Sequence, residues 1–283
     1  MTKDTSDGKH SVSPMLAIFT AIQFLTRVPV PGAMSGTLEN YQAALRASLV
    51  YFPVVGVLIG IFTSATYAIS VCFWSPLIAA ILAVGAEAFL TGAFHEDALA
   101  DATDALGGGW TREQVLEILK DSRHGTYGVM ALVIGVTLRI ALIANLSWPI
   151  ACLAIPFSAG IGRWSILIFM NRLDPITDRH TMARDVGSKP TAKVVLLGSL
   201  GLMVSLGIVF GCFCALVTSE SIYFLDVYFG TRLLIAVSMS LIMTWYYLRL
   251  VRRRVGGVTG DFLGANCYLV QLVSLLALQP LAV

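Results

Sequence analysis

Residues 76–109 read PLIAAILAVGAEAFLTGAFHEDALADATDALGGG. The first part, 76–93, is an apolar run interrupted only by Glu87, close to the length that crosses about 30 Å of hydrocarbon. From His95 to Leu106 the chain keeps alanines and leucines but adds Glu96, Asp97, Asp101 and Asp104, and three glycines then stop it. An apolar span feeding an acidic helix is the pattern of a membrane bundle that carries polar chemistry at one end.

The rest of the chain agrees. Of 283 residues, 57% are hydrophobic and only 13% charged, and the mean hydropathy is +0.79. An average soluble chain is about 25% charged, so these figures exclude a soluble enzyme, a disordered chain and a secreted disulfide scaffold. The formal net charge of +2 offers no basic field for nucleic acid. Five cysteines lie scattered in or beside apolar runs and read as small fillers rather than a metal or redox site. No cleavage pattern follows the first apolar stretch, so residues 1–13 read as a polar tail and 14–283 as one membrane-embedded bundle.

Seven segments are long and apolar enough to span: 48–71, 76–93, 127–146, 149–170, 194–217, 232–250 and 262–278. An eighth, 14–28, is short and reads as an interfacial or re-entrant helix. The fold class is therefore all-α, a polytopic helical bundle. The connections near Phe73 and Ser147 carry no base, and the one around 219–230 carries Glu220 and Asp226. The other four hold nearly all the cations, among them Arg27, Arg112, Lys120, Arg123, Arg172, Arg184, Lys189 and the run Arg252-Arg253-Arg254. Those four fall on one side, which the positive-inside rule assigns to the cytoplasm. The acids follow the same partition. Inside the spans, Glu87 and Arg163 are exceptions that insertion costs direct toward the bundle interior, where Arg163 reaches a phosphate site or pairs with Glu87.

On a helix, Asp97, Asp101 and Asp104 fall within an arc of about 60°, while Glu96 points roughly 100° away from Asp97. A soluble helix with this stripe would read as a solvated face. Beside a membrane span, with small apolar residues on its other faces, the stripe reads as a cation site instead. Its all-oxygen donors suit Mg²⁺ or Mn²⁺ over zinc, and Mg²⁺ borrows substrate phosphate oxygens. That points to phosphoryl-transfer chemistry.

Two further stretches carry polar chemistry. Thr111 to Lys120 has the pattern of an amphipathic helix with a Thr111–Gln114 capping box, and it runs into Asp121-Ser122-Arg123-His124-Gly125-Thr126. Lys120 and Arg123 are candidates for phosphate contacts, and Asp121 for a metal ligand or base. The other stretch is Gly256-Gly257-Val258-Thr259-Gly260-Asp261-Phe262-Leu263-Gly264-Ala265, whose glycines admit a ligand close to backbone and whose Asp261 opens the last span. The 171–193 loop is the most basic, with Arg184 at its centre.

Taken together and in order, these stretches resemble the cobalamin synthase family, the adenosylcobinamide-GDP ribazoletransferases. The family pattern is His-x-Asp-Gly-x-Ala-Asp-x-x-Asp, then Asp-Ser-Arg-x-Gly-Thr, then Gly-Gly-x-Thr-Gly-Asp-x-Leu-Gly-Ala. It matches here at His95, Asp97, Ala100, Asp101 and Asp104, at Asp121 to Arg123 with Gly125 and Thr126, and at Gly256, Gly257, Thr259 to Asp261 and Leu263 to Ala265. Leaders around Phe24-Leu25-Thr26-Arg27-Val28-Pro29 and Tyr51-Phe52-Pro53 also match. Ala98 stands where the family usually has glycine, Ala105 replaces another common glycine, and shortly after the last motif, where many relatives carry acids, the residues here are Asn266, Tyr268 and Gln271.

The resemblance implies a Mg²⁺-dependent enzyme of the bacterial inner membrane with its active site on the cytoplasmic face. It would transfer the adenosylcobinamide phosphoryl group from adenosylcobinamide-GDP to α-ribazole or its 5′-phosphate, releasing GMP. Its partners would be those two substrates and membrane lipid, with a homo-oligomer left open. The expected metal ligands are Asp97, Asp101 and Asp104. Lys120, Arg123, Arg163, Arg184 and Gly257 are the expected substrate contacts, and Asp121 or Asp261 the catalytic base. Two other readings compete: a transporter or channel with an acidic cation site, and a CDP-alcohol phosphotransferase, whose Asp-Gly-x-x-Ala-Arg core is absent.

Overall fold

A computed structural model describes residues 12–30, 37–176, 189–216 and 227–280. Arg184, the tail up to residue 11, and Glu220 with Asp226 lie outside the described residues. The helices are α1 (Pro14–Leu25), α2 (Leu38–Ser48), α3 (Phe52–Ser70), α4 (Pro76–Thr91), α5 (Phe94–Gly108), α6 (Arg112–Ile118), α7 (Thr126–Ala144), α8 (Trp148–Arg172), α9 (Ala192–Leu216), α10 (Val227–Arg254) and α11 (Gly260–Ala277). A 3₁₀ turn, Leu49–Tyr51, joins α2 to α3. Among the described residues the only β pairing is an isolated parallel bridge between Pro175 and Val258.

Six helices are long and apolar enough to cross a membrane, and the pair α4 and α5 makes a seventh if it is counted as one bent span. That agrees with the seven expected segments. The α1 helix has 12 residues, about 18 Å of rise, and is too short to cross. Ser13 caps its start and Pro14 occupies its first turn.

One expectation needs correction. The acidic helix does not run straight on from its span: α4 and α5 meet at 87°. Gly92 (φ 72°) and Ala93 (φ 57°) are both left-handed, and the Ala93 N–H donates to Ala88 O at 2.7 Å, which ends the i→i−4 ladder. Glycine adopts this conformation freely; Ala93 adopts it against its Cβ. The Arg27 N–H donates to Leu90 O at 2.8 Å, and the Arg27 side chain lies over the face of Gly92 that a Cβ would fill. Phe24 stacks on Phe52 and meets Phe94 edge-on, so both leader segments brace this bend.

Most of α8 is buried and most of α9 is exposed, which makes α8 the axis of the bundle and α9 its lipid-facing rim. The α3–α8 crossing is built from small residues. A Cβ on Gly56 would come 2.6 Å from Ala159 O, one on Gly60 would overlap the Pro156 backbone, and one on Gly160 would come 2.6 Å from Val57. Without a hydrophobic drive between helices in lipid, close backbone approach of this kind supplies the packing.

Two apolar cores flank the middle of the bundle. One gathers Phe52, Val55, Ala102, Phe169, Val251 and Phe262, and the other Tyr67, Ala83, Leu142, Ala154 and Leu275. By position along α3, α4, α7, α8 and α11, a buried charged layer separates them. It contains Glu87, Arg139 and Arg163, each at most 2% exposed.

Candidate active site

The buried layer and the candidate site share α5. Arg139 Nη2 donates to Glu87 Oε2 at 2.6 Å, and Nη1 donates to Glu96 Oε1 at 3.4 Å. Arg163 Nη2 lies 3.6 Å from Glu87 Oε1 and 3.5 Å from His95 Nδ1. Thr63 donates to Glu87 at 2.8 Å, and the Arg139 guanidinium lies over the Tyr268 ring. Arg139 therefore clips the two acids that flank the 87° bend. Sequence reasoning flagged Glu87 and Arg163 but missed Arg139. The signal was present, a lone base inside the 127–146 span, and the same insertion-cost argument applies to it.

Arg163 does not reach an open site. It is 1% exposed and pairs with Glu87, the second of its two expected outcomes. The residues that follow the glycine motif are likewise interior: Asn266, Tyr268 and Gln271 are buried, and Asn266 Nδ2 donates to Ser165 at 2.9 Å.

The aspartate stripe divides. The side chain of Asp97 is 63% exposed and that of Asp101 25%, and both face His124, whose Nε2 lies 3.8 Å from Asp97 Oδ1 and whose Nδ1 lies 3.5 Å from Asp101 Oδ1. One donor atom from each of the three lies within 4.8 Å of the others. Asp104 turns instead to backbone. Its Oδ2 accepts from Gly125 N–H at 2.7 Å and its Oδ1 from Gly128 N–H at 2.8 Å. A carboxylate on the first N–H groups of α7 fills the role of a cap and favours the positive end of that helix. Glycine is required at both places, because a Cβ on Gly125 would come 2.6 Å from Asp104 Oδ1 and one on Gly128 would overlap the carboxylate.

The loop before α7 is thus held against α5 at one end by Asp104, and Arg139 ties the other end of α5 to α7. Ahead of that loop, α6 has the expected capping box, with Thr111 accepting from Gln114 N–H and Gln114 accepting from Thr111 N–H. Val115 and Leu116 anchor α6 in the core beside Ala102 and Ala105.

Asp121 and Arg123 are exposed and paired with each other. Arg123 Nη2 donates to Asp121 Oδ2 at 2.7 Å and Nε to Oδ1 at 2.9 Å. This bidentate pair holds the Asp121 carboxyl down at about 2, which makes it a weak proton acceptor at neutral pH. Lys120 is exposed and lines a shallow depression with Trp110, Glu117 and Asp121. Asp261, in the first turn of α11, accepts from Thr259 Oγ1 at 3.2 Å. It lies close enough to Asp101 for the two carboxylates to repel.

Gly257 is buried, and its visible partner is protein. A Cβ there would come 2.7 Å from Ile176, within the bridge where Val258 N–H donates to Asp174 O at 2.9 Å. The arginine run does more than set topology. Arg254 donates to the Leu106 and Gly109 carbonyls at the end of α5, and Arg252 donates to Arg172 O at the end of α8. Ala98, the departure from the family glycine, is accommodated because Gly264 of α11 offers no Cβ against it.

The donor set of two carboxylates and an imidazole, clustered and solvent-accessible, fits a divalent cation. Comparison with known proteins gives the family of the chain. A family model described as Cobalamin-5-phosphate synthase matches residues 17–279. A protein named adenosylcobinamide-GDP ribazoletransferase from Polaromonas naphthalenivorans (strain CJ2) is 34% identical over 279 residues, covering 91% of this chain and 95% of its own. Proteins of the same name are similar to it in Rhizobium etli (strain CIAT 652), at 36% identity with 91% and 94% covered, and in Shewanella halifaxensis (strain HAW-EB4), at 32% with 90% and 94% covered. No solved structure matches the chain.

Proposed function

Because the chain belongs to the cobalamin-5-phosphate synthase family, we propose that it transfers the adenosylcobinamide phosphoryl group of adenosylcobinamide-GDP to a ribose hydroxyl of α-ribazole, or of its 5′-phosphate. The new bond joins the ribose oxygen to the cobinamide-side phosphorus. The bond that breaks is the one from that phosphorus to the bridging oxygen, which leaves with GMP, and the ribose proton passes to a base or to water. The observation that carries this reading is the convergence of Asp97, Asp101 and His124 on one accessible point of an otherwise packed helix.

Asp97 and Asp101 would hold Mg²⁺, which when bound supplies charge neutralisation for the pyrophosphate and for the developing GMP. Asp104 keeps the 121–125 loop against α5 and so sets the spacing of the donors. Asp261, beside Asp101, is the better-placed base, since Arg123 holds Asp121 at about 2. Lys120 and Arg123 are the phosphate contacts nearest the site in sequence, with Arg184 a third; Arg123 must release Asp121 to serve. The clustering of cations in the same connections supports a site on the cytoplasmic face, and the bacterial relatives support an inner membrane as its location.

The test is an assay of the purified protein with adenosylcobinamide-GDP and α-ribazole, with and without Mg²⁺, reading GMP and the joined corrinoid. Absence of both products with metal present would sink the proposal. Cysteine labelling at Gly108 and Lys189 from each side of the membrane tests the orientation, and labelling from the outer side alone refutes it.

A further inference from the structure

We infer that His124 is a direct ligand of the cation held by Asp97 and Asp101, and that it biases this site toward Mn²⁺ relative to Mg²⁺. The inference rests on the metal reading above and deepens it. His124 occupies the open place in the Asp-Ser-Arg-x-Gly-Thr pattern, so the family motif does not require an imidazole there. Its ring nitrogens lie 3.5 Å from Asp101 and 3.8 Å from Asp97. Both separations are too long for a hydrogen bond, for which about 2.7–3.2 Å is usual. They are the separations that donors show across a shared ion, each about 2.0–2.3 Å from it.

The ring is held there by its backbone. The next residue, Gly125, gives its N–H to Asp104, and Gly128 gives its own to the same carboxylate. The loop cannot withdraw the imidazole from α5 without breaking both bonds. Asp104 lies on the stripe of Asp97 and Asp101, yet its contribution is to present a nitrogen donor rather than a third oxygen. Mg²⁺ prefers oxygen ligands and keeps its waters, whereas Mn²⁺, the first member of the divalent transition series, takes one imidazole among oxygen ligands more readily.

The experiment is Mn²⁺ titration of the purified full chain in detergent, followed by electron paramagnetic resonance, with pulsed detection of ¹⁴N coupling to the bound ion. Wild type is expected to show ¹⁴N coupling. His124→Asn is expected to lose that coupling and to weaken Mn²⁺ binding about tenfold or more. Its Mg²⁺ affinity, read by competition, should change less than about threefold. Bound Mn²⁺ that depends on Asp97 and Asp101 but shows no nitrogen coupling overturns the inference and leaves the metal reading standing. Mn²⁺ binding unaffected by Asp97→Asn and Asp101→Asn overturns both.

Discussion

Glu96 and Asp97 are neighbours on one helix and do opposite work. Glu96 is 8% exposed and paired to Arg139, while the side chain of Asp97 is 63% exposed and shares its surroundings with another acid and a histidine. A step of about 100° around α5 separates a group that holds the bundle from one left open for a ligand. The difference lies in what packs on each face. Toward the interior, α7 delivers a guanidinium to a buried carboxylate, and such a pair is costly to break because the remaining charge stays desolvated. Toward the open face the base that meets Asp97 and Asp101 among the described residues is His124, and like charges left close together favour capture of a cation.

The comparison breaks most visibly at Arg139. Arg139→Met strands Glu87 and Glu96 in the interior, and the expected loss is about 3–5 kcal/mol or failure to accumulate in the membrane. Thermal unfolding in detergent measures it, and an unchanged midpoint would mean that the buried clip holds nothing. Glu96→Gln belongs to the same class and should lower stability, although by its helical angle alone it looked the more dispensable acid.

Next come the two open acids. Asp97→Asn and Asp101→Asn should each abolish detectable transfer while the metal-free midpoint stays level or rises, since each relieves carboxylate crowding. A fall in stability like that of the Arg139 variant would erase the distinction between the two faces.

Asp104→Asn should fall between the classes. Its amide nitrogen would face an N–H that now has an acceptor, so stability drops by about 1–3 kcal/mol. Cation affinity drops about tenfold because the loop carrying His124 is no longer held. Loss of affinity without loss of stability would make Asp104 a ligand after all.

The smallest effect belongs to Asp121→Asn, at an exposed pair. The carboxyl sits at about 2 when folded, below its ordinary value near 3.9. Its contribution is therefore present above about pH 4 and disappears as pH falls through about 2. At neutral pH the variant should unfold like wild type and keep most of its activity; a hundredfold loss in transfer at pH 7 would restore Asp121 as the base.

Much of this was open to reading in the chain. The six long apolar helices and the apolar run of α4 follow from hydropathy and length, because hydrocarbon admits only backbone that satisfies itself. The shared face of Asp97 and Asp101 follows from the helical repeat, and the capping box at Thr111 from its spacing to Gln114. The bend between α4 and α5 was not read from the sequence, since it depends on Arg27, Phe24 and the clip across Glu87 and Glu96.

What residue type, period and span length express was thus determined by the sequence alone: an all-helical membrane bundle, one face of polar chemistry and two of its acids. Tertiary structure decided which charge became which. For Arg163 the sequence left a phosphate or Glu87 as partner, and it is buried against Glu87. Asp104 shared the stripe with Asp97 and Asp101, but the first N–H groups of α7 land on it and use both its oxygens. His124 had no role assigned from the sequence, and it faces both open carboxylates. Helical periodicity reports the direction in which a side chain leaves its own axis. Whether it meets water, a counter-charge or a helix terminus depends on other helices, brought there by packing over tens of residues.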